Sequence, residues 1–490
     1  MSKSATARGP APAAGPGARI DMIGNVARAT ADPVLRRQLG EAVAVFRRQR
    51  AAAVAELPEW EALRRAGAAI KDEALVSLDA CLLRLESRIV ERGGAVHWAA
   101  DAAEARRIVL DLARARGVRL AVKSKSMTTE EIHLNPALEA AGVRVVETDL
   151  GEYVAQLAGE TPSHIVAPIL HKPASAVADL FAAKLGAPRF ERPEEMALFA
   201  RRRLRADFLA ADMGISGVNF AVAETGTLVV VENEGNARLT VSRPRVHVAV
   251  MGIEKVVPRL ADLGVLLRLL PRSATGQRAS VYVSLLTGPR RPGEPDGPDE
   301  LHLVLLDNGR TRLLADPELR EALRCIRCGA CLNACPVYER AGGHAYGSVY
   351  SGPIGAVITP VLEGLDRAAE LPFASSLCGA CAEVCPVRID LPRMLLELRA
   401  RAVRAGQTRP ADRAFARAWT FAMGSRRRLR VLVGLGRLAQ RLLARGGRIE
   451  RLPGPLAGWT DHRSAPMLAP RAFLDAWGRR RSASRPDRAR

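Results

Sequence analysis

The sequence predicts an α/β protein with helical flanks and a separate cysteine-rich module. Three observations predict it. Short β-rich runs alternate with helical ones from about residue 118 to residue 307, which implies a largely parallel sheet. Long Ala/Leu/Arg/Glu stretches, little interrupted by Gly or Pro, cover residues 25–115 and 396–445 and read as helices. Seven of the eight cysteines fall in two tight runs, which is ligand spacing and not a dispersed disulfide framework.

The chain has 490 residues, 48% of them hydrophobic, enough for roughly two to four domains with a sizeable core. Aromatics are only 4%, so aliphatics and alanine must fill that core. Residues 1–20 are Ala-, Gly- and Pro-rich and are expected to be disordered. A helical region is expected over 21–115, overlapping an α/β domain over 65–307. Within that domain Leu120–Val122, Val143–Glu147 and Ile165–Ala167 read as strands. So do Leu228–Val231, Arg245–Val250, Ser280–Ser284 and Leu301–Leu306. Pro136–Ala141, Tyr153–Leu157, Ala174–Leu185 and Glu194–Met213 read as helices. Gly288–Pro298 (GPRRPGEPDGP) is a loop by composition. A ferredoxin-like module is placed at 312–395, a helical C-terminal region at 396–480, and a disordered basic tail at 481–490.

The net charge of +21 is uneven. Residues 401–490 hold 22 Arg, no Lys and 5 acidic residues, a net +17. Such a tail suits an acidic partner, an anionic membrane surface or nucleic acid. A plain solvated surface explains it too. Nucleic acid is disfavoured, because the aromatics that would stack on single strands are not interleaved with the arginines. The first twenty residues lack the apolar core of a signal peptide. No run of roughly 18 apolar residues suggests a transmembrane helix. A cytoplasmic location is expected, with peripheral membrane contact left open.

The first cysteine run is CIRCGACLNACP: Cys325, Cys328, Cys331 and Cys335, then Pro336. This is the C-x2-C-x2-C-x3-C-P spacing of bacterial ferredoxins, in which the fourth cysteine serves the other cluster of a pair. The second run is SSLCGACAEVCP: Cys378, Cys381 and Cys385, then Pro386. Aligned on the proline, the place of its first cysteine falls on Ser375. Crossing the ligands gives Cys325, Cys328, Cys331 and Cys385 to cluster one, and Cys335, Cys378 and Cys381 to cluster two. The fourth corner of cluster two is then open to a Ser375 oxygen, to another group or water, or to a three-iron cluster. Zinc is the competing occupant of four-cysteine sites. Two tandem runs, each ending in Cys-Pro, favour iron–sulfur. Cys81, in a helical pattern, reads as a small buried hydrophobe.

Two further segments carry polar density between apolar runs. The first, KSKSMTTEEIHLNPAL and then VVETDLGEYVAQLAGETPSHIVAPILHK, brings Lys123, Lys125, Ser126, Glu130, Glu131, Glu147, Asp149, Glu152, Gln156, His164, His171 and Lys172. Glu147, Asp149 and His171 follow strand candidates, where open α/β sheets gather ligands. Caps and surface charges explain them as well; Asp149 suits an N-cap. The second, AETGTLVVVENEGNARL, sets Glu224, Thr225, Gly226 and Thr227 before a strand and Glu232 to Asn236 after it. A Gly-containing turn can cradle an anion, and a plain hairpin turn also fits. Gly434-x-Gly436-x-x-Ala439 mimics a dinucleotide fingerprint but lacks the following βαβ unit that the fingerprint needs. The stretch Leu429 to Leu443 could form a basic amphipathic helix.

Together KSMTTEEIHLNPAL, ETDLGEYVAQLAGETPSHIVAPILHK, AETGTLVVVENEGNARL, the two cysteine runs and LPGPLAGWTDHR resemble the lactate utilization protein B family of bacterial iron–sulfur proteins. The resemblance runs from about residue 50 to 480. It implies a lactate-utilization-type central domain similar to the sugar-isomerase and CoA-transferase-like group, followed by a two-cluster insert. It implies two [4Fe-4S] clusters on the seven cysteines named above, the family sharing the missing eighth. It also implies electron transfer alongside two companion proteins that together oxidise L-lactate to pyruvate, with the electron acceptor and any catalytic residue unspecified. A different class of function stays open: an α/β-domain transferase or isomerase on an anionic substrate, with structural or redox-sensing clusters.

Overall fold

The computed structural model describes residues 18–444, 446–460, 463–470, 473, 476 and 477. It divides into two compact units, Met1–Gln407 and Thr408–Arg490. The expected disorder at 481–490 and over most of 1–20 lies outside the described residues. Ile20 corrects the boundary of the second expectation. Its side chain is buried and its N–H donates to the Arg367 carbonyl at 3.0 Å.

The first unit is built on ten strands: β1 (Ala95–Ala99), β2 (Leu120–Lys123), β3 (Arg144–Glu147), β4 (Met213–Gly217), β5 (Phe220–Val222), β6 (Thr227–Glu232), β7 (Val246–Gly252), β8 (Val256–Val257), β9 (Tyr282–Leu286) and β10 (Glu300–Leu306). Six of them form a parallel sheet in the order β1-β10-β7-β4-β2-β3. A smaller sheet, β8-β5-β6-β9, stands beside it. The period of two in the central strands explains their burial on both faces. Val246, Val248 and Val250 of β7 face a core shared with the helix Ala102–Ala115. Ala249 and Met251 face the opposite core, closed by the helix Leu78–Glu91 and by Cys81.

Three expectations change. The helical stretch 25–115 is interrupted by β1, an edge strand paired only with β10 and too exposed for its apolar residues to alternate cleanly. The helix placed at Glu194–Met213 ends at Ala210, because the Asp212 N–H donates to Leu120 O and Met213 opens β4. Ile165–Ala167 is not a strand. The N–H groups of Val166 and Ala167 both donate to His164 Nδ1, at 3.0 and 3.1 Å, so they are not available to a ladder.

The sheet order reverses at β2: β3 lies on one side and β4 on the other. Open parallel sheets leave a crevice at such a switch, beyond the strand C-termini. Two N-terminal helices close it toward the cysteine-rich segment. The helix Pro33–Ala55 packs on Ala330–Ala334 and Pro336–Ala341, and the helix Trp60–Val76 packs on Asp262–Ala274. One apolar core therefore holds Val43, Trp60 and Leu266 together with Cys328, Cys335 and Cys385.

In the second unit, the helix Pro410–Met423 packs against the helix Arg426–Leu443, and Arg448–Ile449 pairs antiparallel with Ala465–Pro466. Among the described residues, no helix is long and apolar enough to cross a membrane.

Candidate functional site

The two cysteine runs fold as copies of one turn. Arg327 and Gly329 take left-handed backbone conformations (φ 60° and 76°), as do Leu377 and Gly379 (φ 56° and 86°). A non-glycine residue there costs roughly 1–2 kcal/mol, so both turns are held by their surroundings. Short helices start directly after, at Ala330 and Ala380. Cys325 Sγ accepts from the Arg327 N–H at 3.4 Å, and Ser375 Oγ accepts from the Leu377 N–H at 3.1 Å. Ser375 thus occupies in its turn the position that Cys325 occupies in the first.

Cys325, Cys328, Cys331 and Cys385 line one small cavity, walled also by Arg327 and by apolar side chains such as Ile165, Ile354 and Ile389. Cys335, Cys378 and Cys381 form a second group: the Cys378 charge is felt at Cys335, and the Cys335 and Cys378 charges are felt at Cys381. Burial pushes the Cys328 thiol up to about 12, Cys381 to about 12 and Cys385 to about 11. Cys331 and Cys335 rise as well, again by burial. Cys378 is exposed, and the Ala380 N–H lowers its thiol. Such sites favour thiolates only when a cation bonds to sulfur, since coordination deprotonates a thiol outright. A single tetrahedral zinc would draw its four sulfurs to about 3.8 Å of one another, from Zn–S bonds of about 2.3 Å. Among the described residues, no three His, Cys, Asp or Glu side chains converge to hold a single ion. The donor set fits a polynuclear iron–sulfur group better than zinc.

A second cavity, about 350 Å³, opens at the switch point. Its walls are Ser124, Lys125 and Ser126 after β2, Gly217 at the end of β4 and Asn219 beyond it, and the polar turn from Glu232 to Asn236. Its far wall is the first cysteine turn, through Arg327 and Cys328. The two cavities share Ile165, Arg327 and Cys328.

Charge is concentrated where they meet. Arg310 is 2% exposed, and its Nε donates to Glu254 Oε2 at 2.6 Å while its terminal nitrogens clamp both oxygens of Glu131. The Tyr350 hydroxyl donates to Glu131 Oε2 at 2.6 Å. Arg327 stacks over the Tyr350 ring at 4.5 Å and reaches Glu254 Oε1 at 3.4 Å, but one of its terminal nitrogens is buried without a partner. Burial would raise Glu254, yet Arg310 and Arg327 hold it at about 2. Lys255 also lines the polar cavity and is 7% exposed. Burial, with Arg327 nearby, brings it down to about 8.

The other sequence candidates separate into two sets. Lys125 (donating to Asp149 Oδ2 at 3.2 Å), Ser126, Asp149, Glu232, Asn233, Glu234 and Asn236 reach the polar cavity. The rest serve structure. Lys123 is buried among Glu147 (2.7 Å), Glu130 (3.0 Å) and Glu152 (4.0 Å). Burial, then the neighbouring Glu147, raises Glu152 well above the usual carboxylate range. Gln156 ties Glu147 N–H and Val145 O. His164, lowered to about 4 by burial, bonds Asn333. His171 and Lys172 meet Glu160. The Glu224–Thr227 turn caps Leu260 N–H and packs Gly226 on Arg88. Gly434, Gly436 and Ala439 lie inside a helix. Lys255, Arg327 and Tyr350 were not singled out from the sequence. Lys255 had a signal, since it follows a strand of the parallel sheet.

Comparison with known proteins adds the following. A family model for the LUD domain matches residues 82–306. A 4Fe-4S dicluster domain matches residues 321–389. Lactate utilization protein B of Shouchella clausii is 45% identical over 91% of this chain and 94% of its own length. Its namesake in Anoxybacillus flavithermus is 46% identical over 88% and 91%. The uncharacterized electron transport protein YkgF of Escherichia coli is 43% identical over 90% and 93%.

Proposed function

The chain belongs to the lactate utilization protein B family, and from that premise we propose that it is the iron–sulfur electron-transfer subunit of a multi-protein system oxidising L-lactate to pyruvate. The observation that carries this reading is the gathering of Cys325, Cys328, Cys331 and Cys385, drawn from two distant runs, around one apolar cavity. Those four would hold one [4Fe-4S] cluster. Cys335, Cys378 and Cys381 would hold a second, with the Ser375 hydroxyl as the candidate fourth ligand. Bound clusters supply one-electron transfer at a potential set by burial, charge and hydrogen bonds.

The chain's own residues set those terms. Ile165, Ile354 and Ile389 keep water from the first group. N–H groups aimed at sulfur, from Arg327 to Cys325 and from Ile389 to Cys385 at 3.4 Å each, stabilise thiolate charge. Arg64 donates to Cys385 O at 2.9 Å and holds that turn in place. The parallel sheet and its switch-point cavity suit a central domain of the sugar-isomerase and CoA-transferase-like group. Two companion proteins and a cytoplasmic location complete the reading.

The test is electron paramagnetic resonance on anaerobic protein with iron and sulfide analysis. Adding L-lactate and the companions should reduce the clusters. Cys385→Ala should remove about half of the iron and one signal, and Cys378→Ala should perturb the other. Stoichiometric zinc without sulfide, or spectra unmoved by lactate, would overturn the reading. Turnover that continues unchanged after cluster reduction would favour a transferase or isomerase instead.

A further inference from the structure

We propose that the second unit docks on an anionic lipid surface, with the helix Arg426–Leu443 lying in the headgroup layer, its apolar stripe turned inward and its basic flank against lipid phosphates. The inference does not rest on the electron-transfer reading.

The helix has two distinct sides. One packs within its own unit. Gln440 is buried, its Oε1 accepts from the Leu468 N–H at 2.7 Å, and a Cβ on Gly436 would stand 3.1 Å from the Leu468 side chain. The other side is bare. Val431, Leu435, Leu438 and Leu442 follow one another at helical spacing and share that face. Each is more than half exposed, and Leu442 is 89% exposed. Apolar side chains scattered singly over a surface need no explanation, whereas a continuous row of them marks a contact site. The preceding helix adds to the supply. Among the described residues, none of the helix Pro410–Met423 is buried, and Phe415 and Trp419 stack on each other at 6.3 Å with both rings exposed.

Charge decides what covers the stripe. The helix Arg426–Leu443 carries six arginines and no acidic residue. With 3.6 residues per turn, Arg427, Arg430, Arg437 and Arg441 fall along one flank of the stripe. A second copy of the helix would set arginine against arginine. A protein groove would need a shaped interface core, from which charge is depleted. A lipid surface needs only an apolar stripe, a basic flank and aromatic rings at headgroup depth. Those rings are present: Trp419 and Trp459 are exposed, and Arg463 lies over the Trp459 ring at 4.3 Å. The surplus of 22 Arg over 5 acidic residues beyond residue 400 has the sign that anionic headgroups attract.

The experiment is co-sedimentation of the full-length, anaerobic, iron-loaded chain with vesicles of phosphatidylcholine alone, and of phosphatidylcholine and phosphatidylglycerol in equal parts. Wild type should bind the anionic vesicles at least tenfold more tightly than the neutral ones, and high salt should erase most of that preference. Leu435→Asp combined with Leu442→Asp, both at exposed positions, should weaken anionic binding at least tenfold while leaving iron content and circular dichroism unchanged. Arg427→Gln combined with Arg441→Gln should weaken anionic binding and leave neutral binding unchanged. If the leucine variant fails to fold, the arginine variant decides. Wild type that does not sediment with anionic vesicles, or folded variants that bind them within twofold of wild type, overturns the assignment. Co-elution with the companion proteins that the leucine variant abolishes, without vesicle binding by wild type, would give the stripe to a protein partner and overturn it too. So would a dimer that the same variant dissolves. Absence of lactate-dependent cluster reduction would overturn the electron-transfer reading alone and leave vesicle binding standing.

Discussion

Replacing Arg310 by Met removes the one cation that engages both Glu131 and Glu254. Arg310 is enclosed, and its bonds to the two carboxylates lie between 2.6 and 2.9 Å. Burial alone would raise Glu254; Arg310 first and Arg327 next hold it at about 2 against an ordinary value of 4.5. That displacement corresponds to about 3 kcal/mol. Stripping one partner from a buried ionic cluster costs about 3–5 kcal/mol, so the two routes agree. The sign with pH follows. A depressed carboxylate contributes stability that is complete above about pH 4.5 and is lost as pH falls toward 2, so this contribution is flat in wild type from pH 6 to 8. In Arg310→Met, burial instead raises the carboxylates, the native state binds protons more tightly, and stability falls as pH rises. The gap between the two proteins should therefore be wider at pH 8 than at pH 6. Thermal melting of anaerobic iron-loaded protein, at one fixed scan rate, should show a loss of roughly 3–6 °C at pH 8. A loss under about 2 °C, equal at both pH values, would refute the reasoning.

Ser375→Cys puts a thiol where Ser375 Oγ already accepts the Leu377 N–H. It should alter the resonance signal of the second cysteine group, leave the first unchanged and keep the iron content, and two unmoved signals would count against Ser375 facing that group. Lys71 donates to Glu254 O and Val256 O, and burial lowers it to about 8 from an ordinary 10.5. Its charge is a full burden below pH 8 that is relieved toward pH 10.5, so wild type should gain up to about 3 kcal/mol on Lys71→Met across that window; melting differences at pH 7.5 and 10 that coincide would contradict it.

Burial pattern decided which parts of the fold were legible. β2, β3, β7 and β10 are short apolar runs between helical stretches, and the helix Ala174–Leu185 has both a clear pattern and Gly186 to end it. β4 reads MGISG, two glycines and a serine with little strand preference of their own. It is a strand because β2 and β7 flank it, which is a tertiary cause. β5 and β8 are two or three residues long and give no period to detect. Which cysteines stand together could be read from the repeat of the Cys-Pro run. The wall facing them could not. Lys255, Asn219 and Tyr350 meet only after β4, β5 and β7 are placed, and Arg327 looked like a spacer between two ligands.

The crossing of the cysteine runs has a consequence for synthesis. The ribosome delivers Cys325, Cys328 and Cys331 first, and their fourth companion, Cys385, follows about 50 residues later. At about 5–20 residues per second, the nascent chain carries an incomplete three-thiol pocket for about 3–10 s. Cys335 waits in the same way for Cys378 and Cys381. Neither group can be complete before the other has begun, so both cysteine pockets close late, after the whole α/β domain has left the tunnel.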